Sequence, residues 1–287
     1  MVAHPEIARA RGQWRPDGVY LNTASYGLPP DCAWDALQAA LEDWRGGRTS
    51  WERWGESTEG ARAAFAALVG VAPDAVAVGA TVSGLIGLVA ASIPDGARVL
   101  VPDVEFTSTL FPFLVQRPRG VEVRLVAPGE LADAVDAHTD VVAFSAVQMA
   151  TGEVADLDAI GAAARAHGAM TVVDATQACG WLPVDASRFD VVACAAYKWL
   201  MSPRGTAFMT VGPERLRDIV PAAAGWYAAE DVHGSYFGPP MRLAGSARRL
   251  DTSPAWFSWV GTQPAIELVN RIGVEAIHAH DVALANR

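Results

Sequence analysis

The sequence has 287 residues, 51% of them hydrophobic, and a formal net charge of −10 from 22 basic and 32 acidic side chains. A chain of this length can bury a large core without disulfides or metal, and an acidic balance with no basic stretch argues against a nucleic-acid partner. Cys32, Cys179 and Cys194 show no metal-ligand or CxxC spacing, and their odd number fits a reducing compartment. No basic region precedes an apolar run at the N-terminus, and the most apolar segment, 82–93, is too short to cross a bilayer. The composition therefore predicts a cytoplasmic globular enzyme with neither nucleic acid nor membrane as partner.

The alternation of short β-rich runs with helical stretches predicts an α/β fold, a mostly parallel seven-stranded sheet with helices on both faces. The strands are expected at 75–79, 98–101, 121–126, 141–145, 170–174, 191–194 and 206–211. Behind the first of them, Val78-Gly-Ala-Thr-Val-Ser-Gly84 reads as strand, small-residue turn and apolar helix. Backbone N–H groups at such a helix start suit a phosphate, with Thr81 and the Val82 amide as candidates; Thr81 is equally a plain N-cap. Further on, Asp156 precedes Leu157, Ile160 and Ala164 at helical spacing and Gly168 follows, so cap, apolar face and stop agree.

Asp174 falls at the C-terminal end of the strand at 170–174, the edge where open α/β sheets bind ligands, and Gln177 follows in the loop. A carboxylate there can hold the pyridinium nitrogen of pyridoxal 5'-phosphate (PLP) protonated, with Gln177 on the ring oxygen; alternatively Asp174 only caps the turn. The next strand runs into Ala195-Ala-Tyr-Lys198-Trp-Leu-Met-Ser-Pro-Arg-Gly205. Lys198 is the one lysine among 22 cations. An arginine-rich composition accounts for the missing lysines elsewhere, but not for the survivor. Arginine serves as a surface charge yet cannot act as an amine nucleophile or form a Schiff base, so the position asks for an amine. Near the end, Thr262 reads as the N-cap of a helix carrying Ile266, Val269 and Ile277, with no stop before Arg287, which predicts a further C-terminal domain or, alternatively, a frayed terminal helix. The expected division is an N-terminal segment near the active site at 1–30, a PLP-binding large domain at 31–261, and the start of an interdomain helix at 262–287 leading to a small C-terminal domain missing from this chain.

With these residues the chain resembles the class V aminotransferases of PLP fold type I, a group that includes cysteine desulfurases, isopenicillin N epimerase-like proteins and kynureninases. The resemblance rests on Gly79-Ala80-Thr81, Glu105-Phe106, Asp174-Ala-Thr-Gln177, Tyr197-Lys198 and Asp251-Thr-Ser-Pro254, and it extends weakly to the stretch from Asn22 to Gly27. It implies that Lys198 carries the Schiff base, Phe106 stacks on the cofactor ring and Tyr197 contacts the phosphate. It further implies a homodimer in which Ser253 reaches the neighbour's phosphate. Two positions depart from the desulfurase pattern: Ala195 replaces a phosphate-binding serine, and Met149 falls near a cofactor-side asparagine. None of the three cysteines matches the desulfurase loop. The resemblance thus implies a PLP enzyme acting on an amino acid, an aminotransferase by preference, with Lys198 and Asp174 as catalytic residues and no metal. The alternatives are a cysteine desulfurase or C–S lyase, an amino-acid epimerase, and, in another class, a catalytically inactive scaffold of the same fold.

Overall fold

The computed structural model describes residues 4–49 and 51–287. In chain order the elements are α1 (Pro5–Ala10), α2 (Asp31–Arg45), α3 (Trp51–Leu68), β1 (Val76–Gly79), α4 (Val82–Ser92), β2 (Arg98–Pro102), α5 (Thr107–Leu114), β3 (Glu122–Val126) and β4 (Val141–Ser145). They continue with α6 (Leu157–His167), β5 (Met170–Asp174), β6 (Val191–Ala195), β7 (Ala207–Val211), α7 (Trp256–Ile272) and α8 (Val274–Ala285). All seven expected strands form, each end within one residue of its expected place. They make one sheet in the order β1-β7-β6-β5-β4-β2-β3. β7 runs antiparallel to both β1 and β6, whereas β2 through β6 pair in parallel.

Each strand sends alternate side chains to opposite faces. Val78, Leu100, Val142, Phe144, Val173, Val192 and Phe208 meet α3, α6 and α7 through Phe65, Ile160, Trp259 and Ile266. Ala77, Val101, Ala143, Val172, Ala193 and Met209 meet α4 and α5 through Val82, Ile86, Val89 and Phe113. Both faces are thus covered by helices, which is why the central strands read as nearly continuous apolar runs. The caps follow the sequence closely. The Thr81 side chain accepts from Gly84 N at the start of α4, and that of Asp156 accepts from Ala159 N at the start of α6. Gly168 closes α6 at φ 72°, a left-handed conformation that favours glycine.

The helix expected to begin at Thr262 begins instead at Trp256 and ends at Ile272. Thr262 is fully buried inside α7, where its hydroxyl donates to the Ser258 carbonyl at 2.8 Å and lies 3.3 Å from the Thr206 hydroxyl. A hydroxyl satisfied one turn back does not cap. The expectation of no stop before Arg287 is also corrected: Gly273, at φ 89°, ends α7 before α8 starts.

One buried ion pair fixes the frame beneath the site. Arg62 of α3 meets Asp251 at 2.6 Å and donates to the Val76 carbonyl, while Asp251 accepts from Val78 N at 2.8 Å. Helix α3, strand β1 and the 251–254 loop are thereby tied together. Burial pushes the Asp251 carboxyl up to about 6, and the Arg62 guanidinium acts against that rise. Among the described residues no helix is long and apolar enough to cross a membrane.

Candidate active site

The C-terminal tips of β4, β5 and β6 and the start of α4 converge on one part-open cavity of ≈ 140 Å³. Its lining includes Thr81, Val82, Phe106, Asp174, Gln177, Tyr197 and Lys198, so seven of the eight expected site residues come together. The eighth, Ser253, is exposed and does not line the cavity of its own chain. A larger cavity of ≈ 890 Å³ opens at the opposite edge of the sheet, around Thr210 and Val211. It contains no lysine or cysteine, so its size does not make it the centre of this chemistry.

Asp174 ends β5 and is 5% exposed. One oxygen accepts from Thr176 N at 2.8 Å and the other from the Thr109 hydroxyl at 3.2 Å. Burial pushes its carboxyl above the usual range, against the pull of the Thr176 hydrogen bonds, and nearby Glu105 pushes the same way. A cation brought into the cavity would relieve that strain and restore the charged form.

Glu105 is the element that sequence reasoning left without a role. It is buried and accepts from Phe106 N, Ser145 N, the Ser145 hydroxyl and the Gln148 amide. These bonds pin the loop after β2 to the tip of β4. Phe106 is thus presented to the cavity, 40% exposed, with its ring centroid 5.6 Å from Lys198 Nζ.

Lys198 follows β6 in a tight turn closed by Met201 N donating to its carbonyl at 3.0 Å. It is 4% exposed, and its Nζ lies 3.9 Å from Met149 Sδ. Burial holds the amine below the ordinary lysine range; Asp174 and Cys194 pull upward, and Arg204 adds to the depression. A side chain in this state is closer to a neutral nucleophile than a surface lysine is. Beneath it, burial pushes the Cys194 thiol well up, which makes it inert rather than a competing nucleophile.

The N-terminal stretch is clamped against this turn. Gly27 N donates to the Tyr197 carbonyl at 2.8 Å, and a Cβ at Gly27 would stand 2.1 Å from the Lys198 carbonyl oxygen, so only glycine fits. Gln177 bridges the same parts: its amide nitrogen donates to the Ala24 carbonyl at 3.0 Å, and its oxygen accepts from the Trp199 indole at 2.8 Å. One amide N–H of Gln177 remains for a ligand oxygen. Sequence reasoning also gave no role to Arg204. It lines the cavity, and its guanidinium carbon sits 4.8 Å from the Tyr197 ring centroid. It stands in the Pro203-Arg204-Gly205 part of the lysine motif, but the motif's spacing does not say where the side chain goes.

An amine and a carboxylate on one cavity, an aromatic face between strand tips, and a helix start on the same wall make a donor set that fits PLP. Fold and site together define a fold-type I PLP enzyme. A family model described as aminotransferase class-V matches residues 19–287, and the chain belongs to that family. It is 27% identical, over 93% of its length and 70% of the relative's, to a probable cysteine desulfurase of Methanothermobacter thermautotrophicus. It is 31% identical, over 97% of its length and 75% of the relative's, to isopenicillin N epimerase of Streptomyces clavuligerus. Among solved structures, a C-DES mutant with glycine covalently linked to its PLP cofactor superposes with a TM-score of 0.82 at 23% identity, covering 92% of this chain and 74% of that one. The cysteine desulfurase CsdA of Escherichia coli gives 0.81 at 19% identity, covering 96% and 74%. These two likenesses establish the fold.

Proposed function

We propose that this protein is an aminotransferase that binds PLP through Lys198 and acts on an amino acid. The observation that carries the reading is the placement of the Lys198 amine and the Asp174 carboxylate on one cavity. When bound, PLP supplies an electron sink for the bonds at the substrate α-carbon. Asp174 would keep the pyridine nitrogen protonated, and its buried position makes that charge pair strong. Phe106 would cover one ring face, Gln177 would donate its free N–H to the ring oxygen, and Thr81 with the Val82 amide and Tyr197 would hold the phosphate. Lys198 Nζ, released by the incoming substrate amine, would then take and return the α-proton, and burial, which holds the amine below the ordinary lysine range, favours the neutral form that a general base needs. A homodimer would add Ser253 of a second copy. A cytoplasmic location agrees with three free cysteines, two of them buried.

A second reading is an epimerase, favoured by the 31% identity to isopenicillin N epimerase over nearly the whole chain. Both readings require proton removal at the α-carbon. The test is to add PLP, record the visible absorption band, and follow loss of the α-proton of L-amino acids in deuterium oxide by NMR. An aminotransferase exchanges the proton and yields a 2-oxo acid when an acceptor is supplied; an epimerase exchanges it and yields the D-enantiomer. PLP binding without α-proton exchange from any amino acid would leave a scaffold and sink both.

A further inference from the structure

A phosphate monoester brings a charge of roughly −1.5 to −2 at neutral pH. The cavity that would receive it already contains Asp174, and the chain as a whole is acidic at −10. On the α4 side the donors are neutral: the Thr81 and Ser83 hydroxyls and backbone N–H groups at the helix start. Only two lining residues are cations, Lys198 and Arg204. Lys198 cannot serve as a lasting counter-charge, because its amine is the group that reacts. Arg204 remains charged throughout.

The position of Arg204 agrees with this role. Its guanidinium lies over Tyr197, and Tyr197 packs against the apolar cluster that contains Val82 and Leu85 of α4. The cation shares one cavity with Thr81, Val82 and Ser83 at the start of α4. Among the described residues no carboxylate pairs with it, whereas Arg62, Arg119, Arg188 and Arg215 are each engaged by one. Among the described residues its hydrogen bonds are made by the backbone, with N donating to the Tyr26 hydroxyl at 3.3 Å and O accepting from the Ser258 hydroxyl at 3.0 Å. The planar donor fork is left for an oxyanion, and stacking on Tyr197 reduces the entropy lost when it binds one.

We infer that Arg204 is the counter-charge for the cofactor's phosphate, supplying from the turn after Lys198 the positive charge that the α4 start lacks. This rests on the PLP reading above. It makes Arg204 a cofactor-binding residue and not merely a packing partner of Tyr197.

The test is to titrate the wild-type protein, Arg204→Gln and Arg204→Lys with PLP and, separately, with pyridoxal, which lacks the phosphate, following the visible band and tryptophan fluorescence. Arg204→Gln should weaken PLP binding roughly ten- to a hundredfold, the loss of one charge-assisted contact, and weaken pyridoxal binding far less, because only the small effect of Arg204 on the Lys198 amine is then lost. Arg204→Lys should recover part of the loss, because a point charge lacks the fork. Equal weakening toward both ligands would show a packing role and overturn the inference. So would unchanged PLP affinity, and a raised KM for the amino acid in that case would move Arg204 to the substrate's carboxylate. If the wild-type protein bound neither ligand, the PLP reading itself would fall, and the inference with it.

Discussion

A buried lysine beside a carboxylate is pulled in two directions. Desolvation favours the neutral amine at Lys198, while Asp174 favours the ammonium, and burial wins. The direction can be checked. Only the neutral amine attacks an aldehyde, so a depressed pKa moves the onset of capture to lower pH. The rate at which the protein takes up PLP, trapped by borohydride at timed intervals, should rise with pH to a midpoint below the 10.5 of an unperturbed lysine. A midpoint at or above that value would mean that the charged form prevails and that the site is built differently. At this scale the meeting of Lys198 and Asp174 on one cavity was legible, because each stands at or just past the end of a readable apolar strand. Glu105 and Arg204 were not. Glu105 acts through four groups brought to it by the fold, and Arg204 is one arginine among many until its aromatic neighbour is seen.

The elements show a parallel contrast. The strands could be read because most are short apolar runs bounded by turn residues, while the edge strand β3 alternates charged and apolar side chains. The start of α7 could not. Thr262 has the composition of a cap, and only the packing of α7 on α3 and β7 shows its hydroxyl turned back on the helix. The Arg62–Asp251 pair between α3, β1 and the 251–254 loop was equally invisible, because its partners are far apart in sequence. With Arg62 at 4% exposure and Asp251 at 0%, Arg62→Gln leaves a buried carboxylate without its cation. The expected loss is about 3–5 kcal/mol in urea unfolding. Breaking the exposed Arg45–Glu42 pair in the same way should cost no more than about 1 kcal/mol. If both variants lost equally little, the pair would not be holding β1 in place.

For the molecule as a whole, the sheet order brings residues remote in sequence, from 81 to 204, to one edge. Ser253 stands apart, exposed on its own chain just after the anchored Asp251. The dimer proposal gives that residue a use. Sedimentation should show a particle of twice the 30.3 kDa chain, and Ser253→Ala should weaken PLP binding without lowering stability. A monomer with undiminished PLP affinity would contradict it. The membership of the class V family was readable from the lysine and aspartate motifs. The final product was not, since transamination and epimerisation share the residues that the sequence displays.

The measurement closest to the central claim uses the chain's single lysine. The protein is loaded with PLP, reduced with borohydride, digested and mapped by mass spectrometry. The account predicts one phosphopyridoxyl group, on Lys198, with the protein made resistant to a lysine-specific protease. A label confined to the N-terminal amine, or no label at all, would contradict it.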